Sequence, residues 1–167
     1  MKIKIYLNSF IVVCLFLVIA QFGTLEAVAE TKTNLKLSSD KEKYLDPNYF
    51  FVDIAIDSAS LPINAVSLSL NFSTSTLGLH EIIYEQSFCS FFIFENIDNL
   101  HGTLNIACAS ETPFSSTSIH VARLVFDKKM LGWSKFIFSD DSLVLSHDGF
   151  GSNLLESAEI HSMYIVK

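Results

Sequence analysis

The sequence predicts an all-β chain, folded as an antiparallel β-sandwich of eight or nine strands and preceded by an N-terminal signal segment. Three observations carry that reading. Apolar and polar residues alternate with period two in run after run, turn-forming residues separate the runs at short intervals, and fifteen of 167 residues are Phe. Alternation places every second side chain on one face of a strand. Aromatic side chains favour strands and bury much area each. Helix-period patterns are scarce, and short strands so punctuated form a sandwich.

The first 29 residues stand apart. Lys2 and Lys4 form a basic start, "FIVVCLFLVIA" (Phe10 to Ala20) an apolar centre, and Ala27-Val28-Ala29 a small-residue cleavage site. That three-part pattern predicts a signal peptide over 1–29 and export of a single domain over 30–167. An apolar run of eleven residues is short of the roughly 20 a bilayer span needs. Membrane contact is therefore expected only through an uncleaved signal segment. Cys14, behind Val13 in the apolar centre, reads as one more apolar residue.

The strands follow in order. "YFFVDIAID" turns Phe50, Val52, Ile54 and Ile56 inward and Asp53 and Asp57 outward. "NAVSLSLNFS" sets Val66, Leu68, Leu70 and Phe72 against Ala65, Ser67, Ser69 and Asn71. "HVARLVFDK" gives Ala122, Leu124 and Phe126 against Arg123 and Asp127, and "SKFIFSD" gives Phe136 and Phe138. In "EIHSMYIVK", Ile160, Tyr164 and Val166 oppose Met163 and Ile165, a strand expected to be covered on both faces. Asp46-Pro47-Asn48, Leu61-Pro62, Asp98-Asn99, Thr112-Pro113, Gly132 and Asp148-Gly149 supply the turns.

"CSFFIFENIDNLHGTLNIAC" reads as a hairpin with its turn near Asp98-Asn99. That register sets Ile93 opposite Leu104, Phe91 opposite Ile106 and Cys89 opposite Cys108, all on one apolar face. Directly opposed residues approach disulfide range, and an exported chain permits the bond. A Cys89–Cys108 disulfide is expected, bracing the hairpin, with two buried thiols as the alternative.

Composition excludes some functions. Cleavage would remove two lysines and one glutamate from eleven basic and eighteen acidic side chains, leaving a net charge near −8. Nucleic acid is thus not an expected partner. His80, His101, His120, His147 and His161 show no metal-ligand spacing. Nucleophile-elbow, phosphate-loop and dinucleotide motifs are absent from the sequence, and no catalytic residues are expected. Calcium would need six to eight oxygens, with acidic or amide residues at alternate positions. From Asp148 those positions hold Phe150, Ser152 and Leu154, so "DGFGSN" reads as a turn. Asp148 and Asn153 are the oxygens a calcium ion would take, and no cofactor is expected. Asn71-Phe72-Ser73 fits a glycosylation acceptor pattern by chance more readily than by use.

Outward aromatics are the remaining binding candidates: Tyr49 and Phe51 on one strand, and Phe92 and Phe94 on another. Trp133, after Gly132, reads first as a plug at the end of the core and second as a sugar platform.

Read together, "INAVSLSLNFSTSTLGLHEI", "GTLNIACAS", "VARLVFDKK" and "SLVLSHDGFGSNL" resemble, in order and spacing over about residues 33 to 166, the strands of the cohesin family. Cohesins are extracellular β-sandwich modules of jelly-roll type that bind dockerin modules and are kin in fold to carbohydrate-binding modules. The chain departs from the family pattern at Ser73, at Ser75 and in "SSDKEKYLDP". The resemblance implies a jelly-roll-like, non-catalytic recognition module at the cell surface or secreted. Its partner would be a dockerin-like or other surface protein or, in a second reading, a polysaccharide.

Overall fold

The computed structural model describes residues 33–39 and 47–166. The signal segment over 1–29, its Ala27–Ala29 site and the start of the domain at residue 30 lie outside the described residues. Eleven strands occur among the described residues: β1 (Thr33–Ser38), β2 (Tyr49–Asp57), β3 (Ile63–Phe72), β4 (Leu77–Ile83), β5 (Phe91–Asp98), β6 (Thr103–Phe114), β7 (Ile119–Lys128), β8 (Gly132–Phe138), β9 (Leu143–Ser146), β10 (Leu155–Ala158) and β11 (Ile160–Ile165). They form a five-stranded sheet, β10-β1-β2-β7-β4, and a six-stranded sheet in which β9 pairs with β3 beside the path β11-β8-β3-β6-β5. The pairings are antiparallel except β1 with β10, which run parallel.

The core lies between the sheets, where alternation places it. Phe50, Val52, Ile54 and Ile56 of β2 and Leu124 and Phe126 of β7 meet Val66, Leu68, Leu70 and Phe72 of β3 and Phe136 and Phe138 of β8. Val66 is 2% exposed, while its neighbour Ser67 is only half-buried on the other face. Burying such side chains contributes roughly 1.5–3 kcal/mol each. The strand count exceeds eight or nine because β1 and β10 are short. In β1, Leu35 and Leu37 point inward, too brief an alternation to stand out, and LESA of β10 shows none.

Two expectations fail. In β11, Met163 and Ile165 are buried, but Ile160 and Tyr164 are exposed, as is Val166 just after it, so the terminal strand is covered on one face only. The second is the hairpin register. Thr103 pairs with Asp98, Leu104 with Ile97 and Ile106 with Glu95, four residues beyond the expected pairing. The turn is longer, covering Asn99 to Gly102, and Asp98 Oδ1 accepts from the N–H groups of Leu100 and His101. Gly102 has φ +71° and passes so near β3 that a Cβ there would stand 2.3 Å from the Phe72 carbonyl oxygen. Only glycine fits that approach. An irregularity between Phe92 and Phe94 then makes Ile93 a bulge residue, and Phe92 pairs with Cys108.

Cys89 is therefore not in the β5–β6 ladder, yet it is disulfide-bonded to Cys108, with Cα atoms 5.7 Å apart. It belongs to the segment that crosses from β4 to β5. The Phe88 N–H donates to the His120 carbonyl of β7, and the Ser90 N–H donates to the Ala109 carbonyl of β6. The bond ties a crossover to a central strand from inside the core.

Candidate recognition surfaces

The outer face of the six-stranded sheet carries two cross-strand rows of small and apolar residues. Leu145 of β9, Ala65 of β3, Ala109 of β6 and Phe91 of β5 form one; Leu143, Ser67, Ala107 and Phe94 form the next. Strands lie about 4.8 Å apart, so the Ala and Ser positions make a level floor between Leu and Phe borders. Phe91 is 50% exposed and Phe94 53%.

Toward the other side of this sheet stands Trp133, 68% exposed. It is not a core plug. Phe136 and Phe138 set the phase of β8, which turns Trp133 out and Ser134 in. Its ring meets Tyr164 edge-on, centroids 5.6 Å apart. Buried Ser134 shares a hydrogen bond with the Thr76 hydroxyl.

Phe92 and Phe94 do not share a face, because the Ile93 bulge reverses the alternation. Phe92 lies against Tyr84, ring centroids 4.1 Å apart. The Tyr84 hydroxyl donates to Glu95 Oε2 at 2.6 Å; burial, then that carboxylate, pushes the phenol well above its usual range.

Tyr49 and Phe51 lie on the opposite side of the molecule, on the outer face of the five-stranded sheet with Asp53. Tyr49 contacts the His80 ring at 5.1 Å. Asp53 receives the Arg123 guanidinium at two points, Nε at 2.6 Å and Nη2 at 2.8 Å. The five aromatic candidates are thus spread over separate surfaces, Tyr49 and Phe51 on one sheet and Phe92, Phe94 and Trp133 on the other. Sequence reading missed Ala65, Ala107 and Ala109 as a surface. Their signal was Ala at alternating outward positions of two strands that must be neighbours.

The "DGFGSN" stretch is a side-chain-closed turn. Asp148 Oδ1 accepts from the N–H groups of Phe150 at 2.8 Å and Gly151 at 2.9 Å. Asn153 Oδ1 accepts from the N–H groups of Val144 and Leu155. Gly149 and Gly151 both have positive φ. Asp148 Oδ1 and Asn153 Oδ1 are thereby engaged by backbone N–H groups. Among the described residues no three His, Cys, Asp or Glu side chains gather into a metal-binding group.

The Ser152 hydroxyl, then the Phe150, Ser152 and Gly151 N–H groups, hold the Asp148 carboxyl down at about 2. Its unfolded value is about 3.9. A depressed carboxyl stabilises the fold fully above the unfolded value and loses that contribution as pH falls through the folded one. Asp148→Ala should therefore be less stable than wild type by a constant margin above about pH 4, shrinking toward pH 2. Parallel denaturant titrations across that window check it; a margin independent of pH would refute the turn's electrostatic role.

Solved structures with the same architecture include the seventh ScaB type I cohesin from Pseudobacteroides cellulosolvens (11% identity, covering 81% of this chain and 92% of that one, TM-score 0.61). A non-cellulosomal cohesin from the archaeon Archaeoglobus fulgidus matches similarly (11% identity, 81% and 92%, TM-score 0.60). The fold is that of a cohesin module. The third ScaB cohesin of R. flavefaciens, solved in complex with a group 1 dockerin, matches over 84% of this chain and 99% of that one (16% identity, TM-score 0.55). At such identities the likeness to cohesins is one of fold. No protein-family model and no curated protein matches the chain.

Proposed function

We propose that this chain is an exported, non-catalytic recognition module that docks a protein partner of dockerin type on the outer face of its six-stranded sheet. The observation that carries the reading is the level floor of Ala65, Ser67, Ala107 and Ala109 between Phe91, Phe94, Leu143 and Leu145. Small side chains let a partner's backbone or helix approach the sheet closely, and the bordering Phe and Leu residues supply apolar anchors in the manner of interface centres. A cohesin of the same fold has been solved with a dockerin bound, which supports that class of partner. The basic, apolar and small-residue pattern over 1–29 supports export.

Ala107→Arg tests the surface. The side chain points outward from β6, so circular dichroism and thermal unfolding should stay close to wild type. A charge placed in the middle of an apolar interface should weaken binding on the order of 100-fold. Calorimetric titration with dockerin modules encoded in the same genome reads the effect. Wild-type binding that Ala107→Arg leaves intact would move the site elsewhere. Failure of every dockerin to bind wild type would remove that partner class.

A further inference from the structure

The opposite side of the sandwich holds a second feature that protein docking does not use. On the outer face of the five-stranded sheet a cleft of about 360 Å³ is lined by Phe51, Ile83, Glu85, Gln86, His120 and Arg123. Its floor is fixed. Phe51 comes from β2, and His120 and Arg123 from β7. The fork from Arg123 to Asp53 locks the guanidinium flat on the sheet, and His120 Nε2 stands 3.8 Å from the same carboxylate.

Its rim is fixed as well. Glu85 and Gln86 sit on the crossover from β4 to β5, where the Ser87 N–H donates to the Tyr84 carbonyl and the Phe88 N–H to the His120 carbonyl. Cys89, three residues past Gln86, is bonded to Cys108. Gln86 itself is held at φ +62°, an unfavourable conformation for a residue with a side chain, and such conformations persist where surrounding structure enforces them.

We propose that this cleft binds a neutral carbohydrate segment. The chemistry of the walls selects that class. Phe51 and Ile83 offer apolar surface to the C–H face of a pyranose ring. Glu85 and Gln86, both exposed, offer planar donors and acceptors suited to adjacent hydroxyls, with His120 Nε2 and the Arg123 guanidinium beside them. Charge argues against an anion. Arg123 is neutralised by Asp53 and accompanied by Glu85, so an anion finds no net positive field. The volume falls at the small end of the roughly 300–1,000 Å³ range of ligand sites, suiting a short stretch of glycan. A cleft whose backbone is already held by the sheet and the crossover binds at a reduced ordering cost.

Isotope-labelled protein titrated with neutral oligosaccharides (cello-, xylo-, manno- and N-acetylglucosamine oligomers) tests the proposal by NMR. At least one series should shift the amide resonances of Gln86, His120 and Arg123 saturably. Phe51→Ala and Gln86→Ala should each weaken that binding about tenfold, and Ala107→Arg on the far sheet should leave it unchanged. Gln86 is a rim residue outside any strand, so its replacement probes the cleft even if Phe51→Ala lowers stability. The proposal is overturned if no series moves these resonances, or if Gln86→Ala binds as tightly as wild type. Because Ala107→Arg reports on the other face, failure here leaves the protein-docking reading untouched, and the reverse also holds.

Discussion

Phe136→Ala is expected to lower the free energy of unfolding by about 3–5 kcal/mol, the largest effect of any single substitution named for this chain. Phe136 is fully buried on β8. Its ring is stacked with Phe50 of β2 at 6.3 Å and meets Phe126 of β7 edge-on at 5.4 Å, and Phe126 in turn meets Phe72 of β3 at 5.1 Å. Two of these rings come from each sheet, so the quartet is the place where the layers interlock. Removing one ring forfeits its transfer free energy and leaves a void that regular strands on both sides cannot collapse to fill. Chemical denaturation should show a lower midpoint with an unchanged slope. A loss below about 1 kcal/mol would mean that the site relaxes, and that the sheets are held apart by something other than these rings. Phe136→Leu keeps most of the volume and should cost far less.

The second large effect is expected from the disulfide. The C89S/C108S pair of substitutions releases a cross-link of sequence separation 19, worth about 3 kcal/mol by the chain-entropy estimate for a loop of that length. Replacing both residues avoids a lone buried thiol. The loss should be accompanied by faster amide exchange at Phe88 and Ser90, whose N–H groups bond to β7 and β6, because the crossover loses its covalent anchor. Reduced wild type should behave like the double variant. If both retain wild-type stability, the crossover is held by Phe88 and its hydrogen bonds, and the cross-link is incidental to the fold.

Much of this architecture was legible in the sequence, for a physical reason. In β2, β3, β7 and β8 one face is buried, and a strand with one buried face must alternate. The same rule could have placed Trp133 outside, since it is out of phase with Phe136 and Phe138. What escaped the sequence was β5. An extra residue at Ile93 reverses the alternation near the start of the strand, and nothing in "FFIFENID" shows which of four consecutive apolar residues is the extra one. The Cys89–Cys108 pairing was derived from a ladder that the structure does not contain. The cysteines meet because the crossover dives between the sheets, a path set by tertiary contacts. The candidate surfaces were less legible still. Tyr49, Phe51, Phe92, Phe94 and Trp133 stand out by type, but their neighbours come from other strands, and the floor of Ala65, Ala107 and Ala109 exists only once β3 and β6 are side by side.

The irregularity at Ile93 bears on solubility as well as on face. β5 lies at the edge of the six-stranded sheet with four large apolar side chains in succession, Ile93 being 71% exposed. An unprotected border of that composition is where identical molecules add strand upon strand into fibres. The extra residue breaks the even spacing of backbone donors and acceptors and increases the local twist, which works against flush pairing of a second β5 along this greasy margin.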